Sequence, residues 1–167
     1  MNELTQTLKT IHRKKDFYSG NVQLDTYLQK QANQDIKRKL SACFVLIHED
    51  TNTIKGFYTL ASNSVPQDWI PSKIKQKLPK AYSSIPTILL GRLAVDISFQ
   101  KQGIGKLLLI DALRRCHQIS KSLGSFAVVV DPIDNQADQF YNKYGFIKLP
   151  DSGKRFLPMN TINQLFQ

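Results

Sequence analysis

The sequence predicts a mixed α/β (α+β) domain organised around a central βαβ unit, and three observations carry that expectation. Residues 87–95, TILLGRLAV, form a nearly continuous apolar run, the pattern of a strand covered on both faces. The loop DISFQKQGIG follows, and then KLLLIDALRRCHQIS, whose apolar residues recur at helical spacing. A second apolar run, FAVVV at 126–130, comes after Gly124, which is expected to end that helix.

The other elements follow in chain order. Residues 22–40 place Leu24, Tyr27, Leu28 and Gln31 at i, i+3, i+4 and i+7, which predicts an amphipathic helix on the core, with basic residues thickening towards its end. CFVLIHE (43–49) and IKGFYTLAS (54–62) are β-rich runs separated by Asp50-Thr51-Asn52-Thr53, a string of turn formers, and predict a β-hairpin. Between Pro66 and Pro86 the chain is polar. Pro71-Ser72 ahead of KIKQKL and Pro79 behind it leave room for at most a short helix, on which Lys73, Lys77 and Lys80 would share a face. Residues 134–145, DNQADQFYNKYG, predict another helix, and FIKL and KRFLPM two closing strands. No repeat, low-complexity tract or long linker interrupts this order, so one domain over 1–167 is expected.

Composition removes several function classes. With 41% hydrophobic and 22% charged residues the chain has a globular balance, and no apolar run approaches the roughly 18–20 residues of a membrane-spanning helix. MNELTQTLKTIHRKKDF lacks a secretory apolar core, so a cytoplasmic protein is expected. Cys43 and Cys116 sit in apolar settings without metal or redox spacing and read as reduced core thiols. His12, His48 and His117 are scattered, and no metal site is expected. The net charge of +10 is localised, because residues 51–121 carry 11 basic and 3 acidic groups. Such an excess suits a polyanion, or equally the phosphates of a small cofactor together with solubility.

The chemistry concentrates at Gln100-Lys101-Gln102-Gly103-Ile104-Gly105-Lys106, which opens the long helix. Glycines there let the backbone turn sharply and leave N–H groups unobstructed at a helix start, where the dipole favours an anion. The loop is neither a Walker A motif nor a GxGxxG fingerprint, and taken alone it does not separate a nucleotide loop from a tight turn.

Its context does. LGRLAVDISFQKQGIGKLLLIDALRR followed by FAVVVDPIDNQADQFYNKYGFIKL closely resembles the acetyl-CoA-binding half of the GNAT superfamily of N-acetyltransferases. The resemblance implies the GNAT fold, a mixed sheet splayed between two parallel strands and flanked by helices. It also implies that backbone groups of Leu93, Ala94 and Val95 bond the pantetheine arm of acetyl-CoA, and that backbone N–H groups across Gln100, Lys101, Gln102, Gly103, Ile104, Gly105 and Lys106 hold the pyrophosphate. Asn135 would border the thiol arm. Tyr141 would be the catalytic acid towards the leaving thiolate, against the plainer reading of a packed ring with an incidental hydroxyl. Phe140, Tyr144 and Phe146 read as packing.

An amine nucleophile must be neutral to attack, and many such enzymes place a carboxylate base on a central strand. Here the only glutamates are Glu3 and Glu49, and Asp96 reads as part of the loop. That suits an α-amine better than a lysine. FYSGNVQLDTYLQKQA, CFVLI, GFYTLAS, LLGRLAVD, AVVVDPIDNQADQFYNKYGF and RFLPMNTI extend the resemblance to one branch, the GNAT toxins of bacterial toxin–antitoxin pairs that acetylate aminoacyl-tRNA. Ser19-Gly20 stands where that branch commonly has Cys-Gly. The branch implies a homodimer, a ribbon-helix-helix antitoxin and tRNA contacts, for which Lys37, Arg38, Lys39, Lys73, Lys75, Lys77, Lys80 and Arg92 are candidates. A GNAT enzyme acting on a small amine or a protein N-terminus is the alternative.

Overall fold

The computed structural model describes residues 3–167. Seven strands form one mixed sheet in the order β1-β2-β3-β4-β5-β7-β6, with β1 Gln6–Thr7, β2 Ala42–His48, β3 Thr53–Pro66, β4 Ser84–Val95, β5 Ala127–Val130, β6 Ile147–Lys148 and β7 Arg155–Pro158. The chain divides into two compact units, Met1–Ala61 with Gly91–Leu113 and Ser62–Leu90 with Arg114–Gln167.

In the first unit, β2 and β3 form the expected antiparallel hairpin, from Ala42↔Leu60 to His48↔Thr53, with a register shift between Leu46 and Ile47. Asn52 closes its turn in the left-handed region at φ 58, a conformation asparagine tolerates. The amphipathic segment is not one regular helix. It runs as α1 (Val22–Thr26), a π-helical turn over Tyr27–Gln31 and α2 (Ala32–Lys37), with the Ala32 N–H bonded to the Tyr27 carbonyl. The extra residue in that turn moves the apolar face by one position, so Ala32 is buried and Gln31, expected on the core, is exposed. Tyr27, Leu28 and Ala32 pack with Phe17, Cys43, Val45, Ile54, Phe57 and Ala94 in this unit's core, and Leu24 lies against it.

In the second unit β4 and β5 pair in parallel from Ile88↔Val128 to Leu90↔Val130, as the crossover reading requires. β5 ends there, while β4 continues to Val95. Val65, Ile70, Ile85, Ala127, Val129, Leu149 and Phe156 form this unit's core. β3 outlasts the expected strand by Asn63 to Pro66, where covered and exposed positions alternate, and Asn63 donates to Thr87 at 3.1 Å. The 66–86 stretch holds one 3₁₀ turn, Gln67–Trp69, and a four-residue α3 (Ser72–Lys75). Lys77 and Lys80 lie beyond α3, so the expected three-lysine helix face does not form; Pro79 disfavours helical backbone at Leu78.

The long helix, α4, spans Ile104–Ser120. It ends four residues ahead of Gly124, which has no positive φ; the Leu123 N–H closes the last turn on Ile119 instead. α5 (Asn135–Lys143) matches the expected helix, capped by the Asp134 carboxylate accepting from the Ala137 N–H at 2.8 Å. The short β1 and a final helix, α6 (Met159–Leu165), were not expected from the sequence.

Candidate active site

The glycine loop of the first unit is held from beneath by Asp96, a buried residue whose carboxylate accepts from the Tyr18 N–H (3.0 Å) and the Ser98 N–H (2.9 Å). Its own N–H bonds the Lys55 carbonyl at 2.8 Å. Asp96 therefore belongs to the loop, capping the 3₁₀ turn Ile97–Phe99. The Gln100 side chain donates to the carbonyls of Ser19 and Val95, both at 2.8 Å, so it braces the loop against the end of β4. Ser19 in turn donates from its hydroxyl to Asp25 at 2.7 Å, and Gly20 follows at φ 94, so the Ser19-Gly20 turn is fixed on both sides.

Lys101 (φ 62) and Gly103 (φ 79) adopt left-handed backbone on the way into α4. A Cβ at Gly103 would meet nothing within 4 Å, so glycine there serves backbone conformation rather than internal packing. The N–H groups of Ile104, Gly105 and Lys106 open α4 and have no acceptor inside the helix, and Lys101 lies on the loop before it. Loop and helix start fit a phosphate-bearing ligand. Gly56, absent from the expected site residues, fixes β3 close to this region: a Cβ there would lie 2.7 Å from Leu108 Cδ1 and 2.9 Å from the Ala94 carbonyl.

Arg92 on β4 stacks on Tyr27, its guanidinium carbon 3.5 Å from the ring centroid. The Tyr27 hydroxyl donates to Asp35 at 3.0 Å, and burial pushes its phenol up to about 12. Arg92 thus rests on an aromatic face rather than in an ion pair. Lys37, Arg38 and Lys39 are exposed at the C-terminal end of α2, where cations also suit the helix dipole. Lys73, Lys77 and Lys80 are exposed in the second unit, and Lys75 pairs with Asp68 at 3.0 Å.

Tyr141 lies on α5 in the second unit, with 7% of its surface accessible. Phe140 and Phe146 meet its ring edge-on, at 5.2 and 5.3 Å between centroids, and Tyr144 packs on Phe140. These neighbours are packing residues, as expected. Burial raises the Tyr141 phenol above its usual value, so it stays protonated at neutral pH. Asn135 is exposed at the first position of α5. Arg155 of β7, which the sequence offered only as strand, holds α5: its Nε and Nη2 bond the two Asp138 oxygens at 2.6 and 3.1 Å.

Among the described residues, each buried aspartate accepts from structural donors. Asp25 is held by Ser19, Asp96 by Tyr18 and Ser98, and Asp111 by the hydroxyls of Tyr58 and Thr5. Glu49 is exposed beside the hairpin turn. Cys43 and Cys116 are buried, and burial pushes both thiols up to about 12, as inert core thiols require.

The helix start of the first unit suits a phosphate-bearing ligand, and the buried, protonated phenol of the second suits proton donation. The family model described as "Acetyltransferase (GNAT) domain" matches residues 17–161, and the chain belongs to that family. It is an acetyltransferase. Among curated proteins it is 38% identical over 130 residues to a tRNA-acetylating toxin of Mycobacterium tuberculosis, covering 78% of this chain and 75% of that protein. It is 29% identical to the probable toxin TacT of Sinorhizobium fredii, covering 92% and 89%. Among solved structures, AtaT complexed with acetyl-methionyl-tRNAfMet superposes with a TM-score of 0.90 at 27% identity, covering 98% of both chains. AtaTR bound with AcCoA gives 0.86 at 29%, covering 98% and 97%.

Proposed function

We propose that this chain, as one domain over 1–167, transfers an acetyl group from acetyl-CoA to the α-amino group of aminoacyl-tRNA and so arrests translation as a toxin. The observation that carries the choice of amine is that the three buried aspartates among the described residues all accept from structural donors. With no buried carboxylate among the described residues free of structural donors, an amine that is already partly neutral in solution is the better acceptor. An α-amine of pKa near 7.8 has roughly 340 times the neutral fraction of a lysine near 10.4 at pH 7. The relative named a tRNA-acetylating toxin supports an aminoacyl-tRNA acceptor.

Leu93, Ala94 and Val95 would hold the pantetheine amides through their backbone, and residues 100–106 the pyrophosphate, with Lys101 and Lys106 adding charge. Asn135 borders the thiol arm in this reading. Bound acetyl-CoA supplies a thioester whose carbon–sulfur bond breaks as the amine nitrogen bonds the acyl carbon. The Tyr141 hydroxyl gives its proton to the departing sulfur, and the proton lost by the amine returns through solvent to restore the phenol. Arg92 and the lysines at 37, 39, 73, 77 and 80, with Arg38, contact the tRNA. No helix among the described residues is long and apolar enough to cross a membrane, which fits a cytoplasmic protein. A homodimer and a ribbon-helix-helix antitoxin complete the proposal; a solved AtaT mutant bound to the C-terminus of its antitoxin AtaR is a precedent for such a partner.

Incubation with radiolabelled acetyl-CoA and charged total tRNA, with deacylated tRNA as control, tests this. Label confined to charged tRNA is expected. Label absent from tRNA despite acetyl-CoA binding would instead favour a small-amine acetyltransferase.

A further inference from the structure

Arg155 makes an unusually complete set of contacts for one side chain of the second unit. It is buried on β7, between Val130 of β5 and Lys148 of β6 in the strand register. Its guanidinium closes bidentately on Asp138, and Nη1 also donates to the Asn142 side chain at 3.2 Å and to the Phe146 carbonyl at 3.0 Å. Those three partners lie three residues before, one residue after and five residues after Tyr141. The Phe146 N–H bonds the Tyr141 carbonyl at 3.1 Å, and Gly145 (φ 91) turns the chain between them. The Tyr141 ring meets Phe140 and Phe146 edge-on, and no described residue bonds its hydroxyl to fix where it points.

We propose that Arg155 is a positioning residue for Tyr141, fixing α5 and the turn beyond it so that the phenol hydroxyl is aimed for proton donation. The proposal rests on the reading of Tyr141 as the acid. A planar fork with several donors in fixed directions suits this task, and a lysine point charge does not. The residue acts from the sheet through the helix and touches neither substrate.

The test is a double-mutant cycle on acetyl transfer from acetyl-CoA to unfractionated aminoacyl-tRNA, with R155K, Y141F and R155K/Y141F. R155K is expected to lower kcat by about tenfold or more with KM for acetyl-CoA nearly unchanged, since a misplacement of about 1 Å can cost up to about 10²-fold. In the Y141F background R155K should cost nothing further, which a merely structural loss would not reproduce. D138N, at the more exposed end of the fork, repeats the cycle with a milder lesion should R155K fold poorly. A full-sized R155K or D138N loss persisting beside Y141F would overturn the positioning role and leave Tyr141 as the acid. An unchanged rate for R155K and D138N would do the same. An unaffected Y141F rate would instead remove the acid reading and the proposal with it.

Discussion

Replacing Gly56 by alanine should disturb the end of β4, the strand proposed to bond the cofactor, and the fold together. The added Cβ would sit 2.7 Å from Leu108 Cδ1 and 2.9 Å from the Ala94 carbonyl, against 3.4–4 Å for ordinary contact. Leu108 is fully buried on α4, and the Ala94 oxygen is backbone, so neither neighbour gives way cheaply. Overpacking of this kind costs about 1–3 kcal/mol. At roughly 2–4 °C per kcal/mol for a chain of this size, Tm should fall by about 2–12 °C. The displaced backbone is the stretch proposed to bond pantetheine, so acetyl-CoA affinity should also fall, by more than in an equally destabilised variant of the second unit's core. Leu149→Val provides that comparison, because Leu149 is buried in the other core. Thermal unfolding by circular dichroism and acetyl-CoA titration by calorimetry measure both. An unchanged Tm together with unchanged affinity would refute the close approach at Gly56.

Three further outcomes are expected. Y141F should lower kcat by about 10²-fold or more, the usual contribution of a positioned acid, while stopped-flow acetyl-CoA binding stays within about twofold; an unchanged kcat would discard the acid role. Buried His12, whose pKa burial and then the Lys9 charge hold below the ordinary 6.5, takes up a proton in the unfolded chain first as pH falls. Its stabilising contribution is therefore complete above pH 6.5 and lost on acidification below it, so the urea midpoint should drop between pH 7.5 and 5.5 and drop less in His12→Asn; equal drops would contradict this. Neutralising Lys37, Arg38 and Lys39 together to glutamine should reduce the salt slope of tRNA binding by roughly 2–3, at about 0.7–0.9 per phosphate contact, and an unaltered slope would take these residues off the tRNA surface.

The central crossover is legible because its signals are local and redundant. TILLGRLAV and FAVVV are apolar enough to specify covered strands, and the glycine loop with the apolar period of α4 fixes what lies between. The π-helical turn at Tyr27–Gln31 is not legible, because one inserted residue changes the buried face without changing composition. β3 beyond Ser62 has no strand signal of its own, and only its place in the sheet exposes the alternation that makes it strand. α6 escapes notice since MNTINQL offers just Met159 and Ile162 to the core, and nothing local marks it off from the preceding strand. At the candidate site, the loop and Tyr141 carry motif signals. Gly56 and Arg155 carry none, as their importance lies in what long-range neighbours approach them: Ala94 and Leu108 for one, Asp138, Asn142 and Phe146 for the other. Their only sequence traces are a glycine inside a strand and an arginine inside a short apolar one.

The most direct measurement is mass spectrometry of the acceptor after reaction. Total aminoacyl-tRNA is incubated with acetyl-CoA and the enzyme, cut by ribonuclease, and the released 3′-terminal aminoacyl-adenosines are sequenced by fragmentation. The account predicts an added acetyl group on the α-nitrogen of one or a few aminoacyl-adenosines, and about a hundredth as much or less in a Y141F reaction stopped at the same early time. Acetyl groups found only on lysine side chains or on the nucleotide, with every α-amine unmodified, would contradict it.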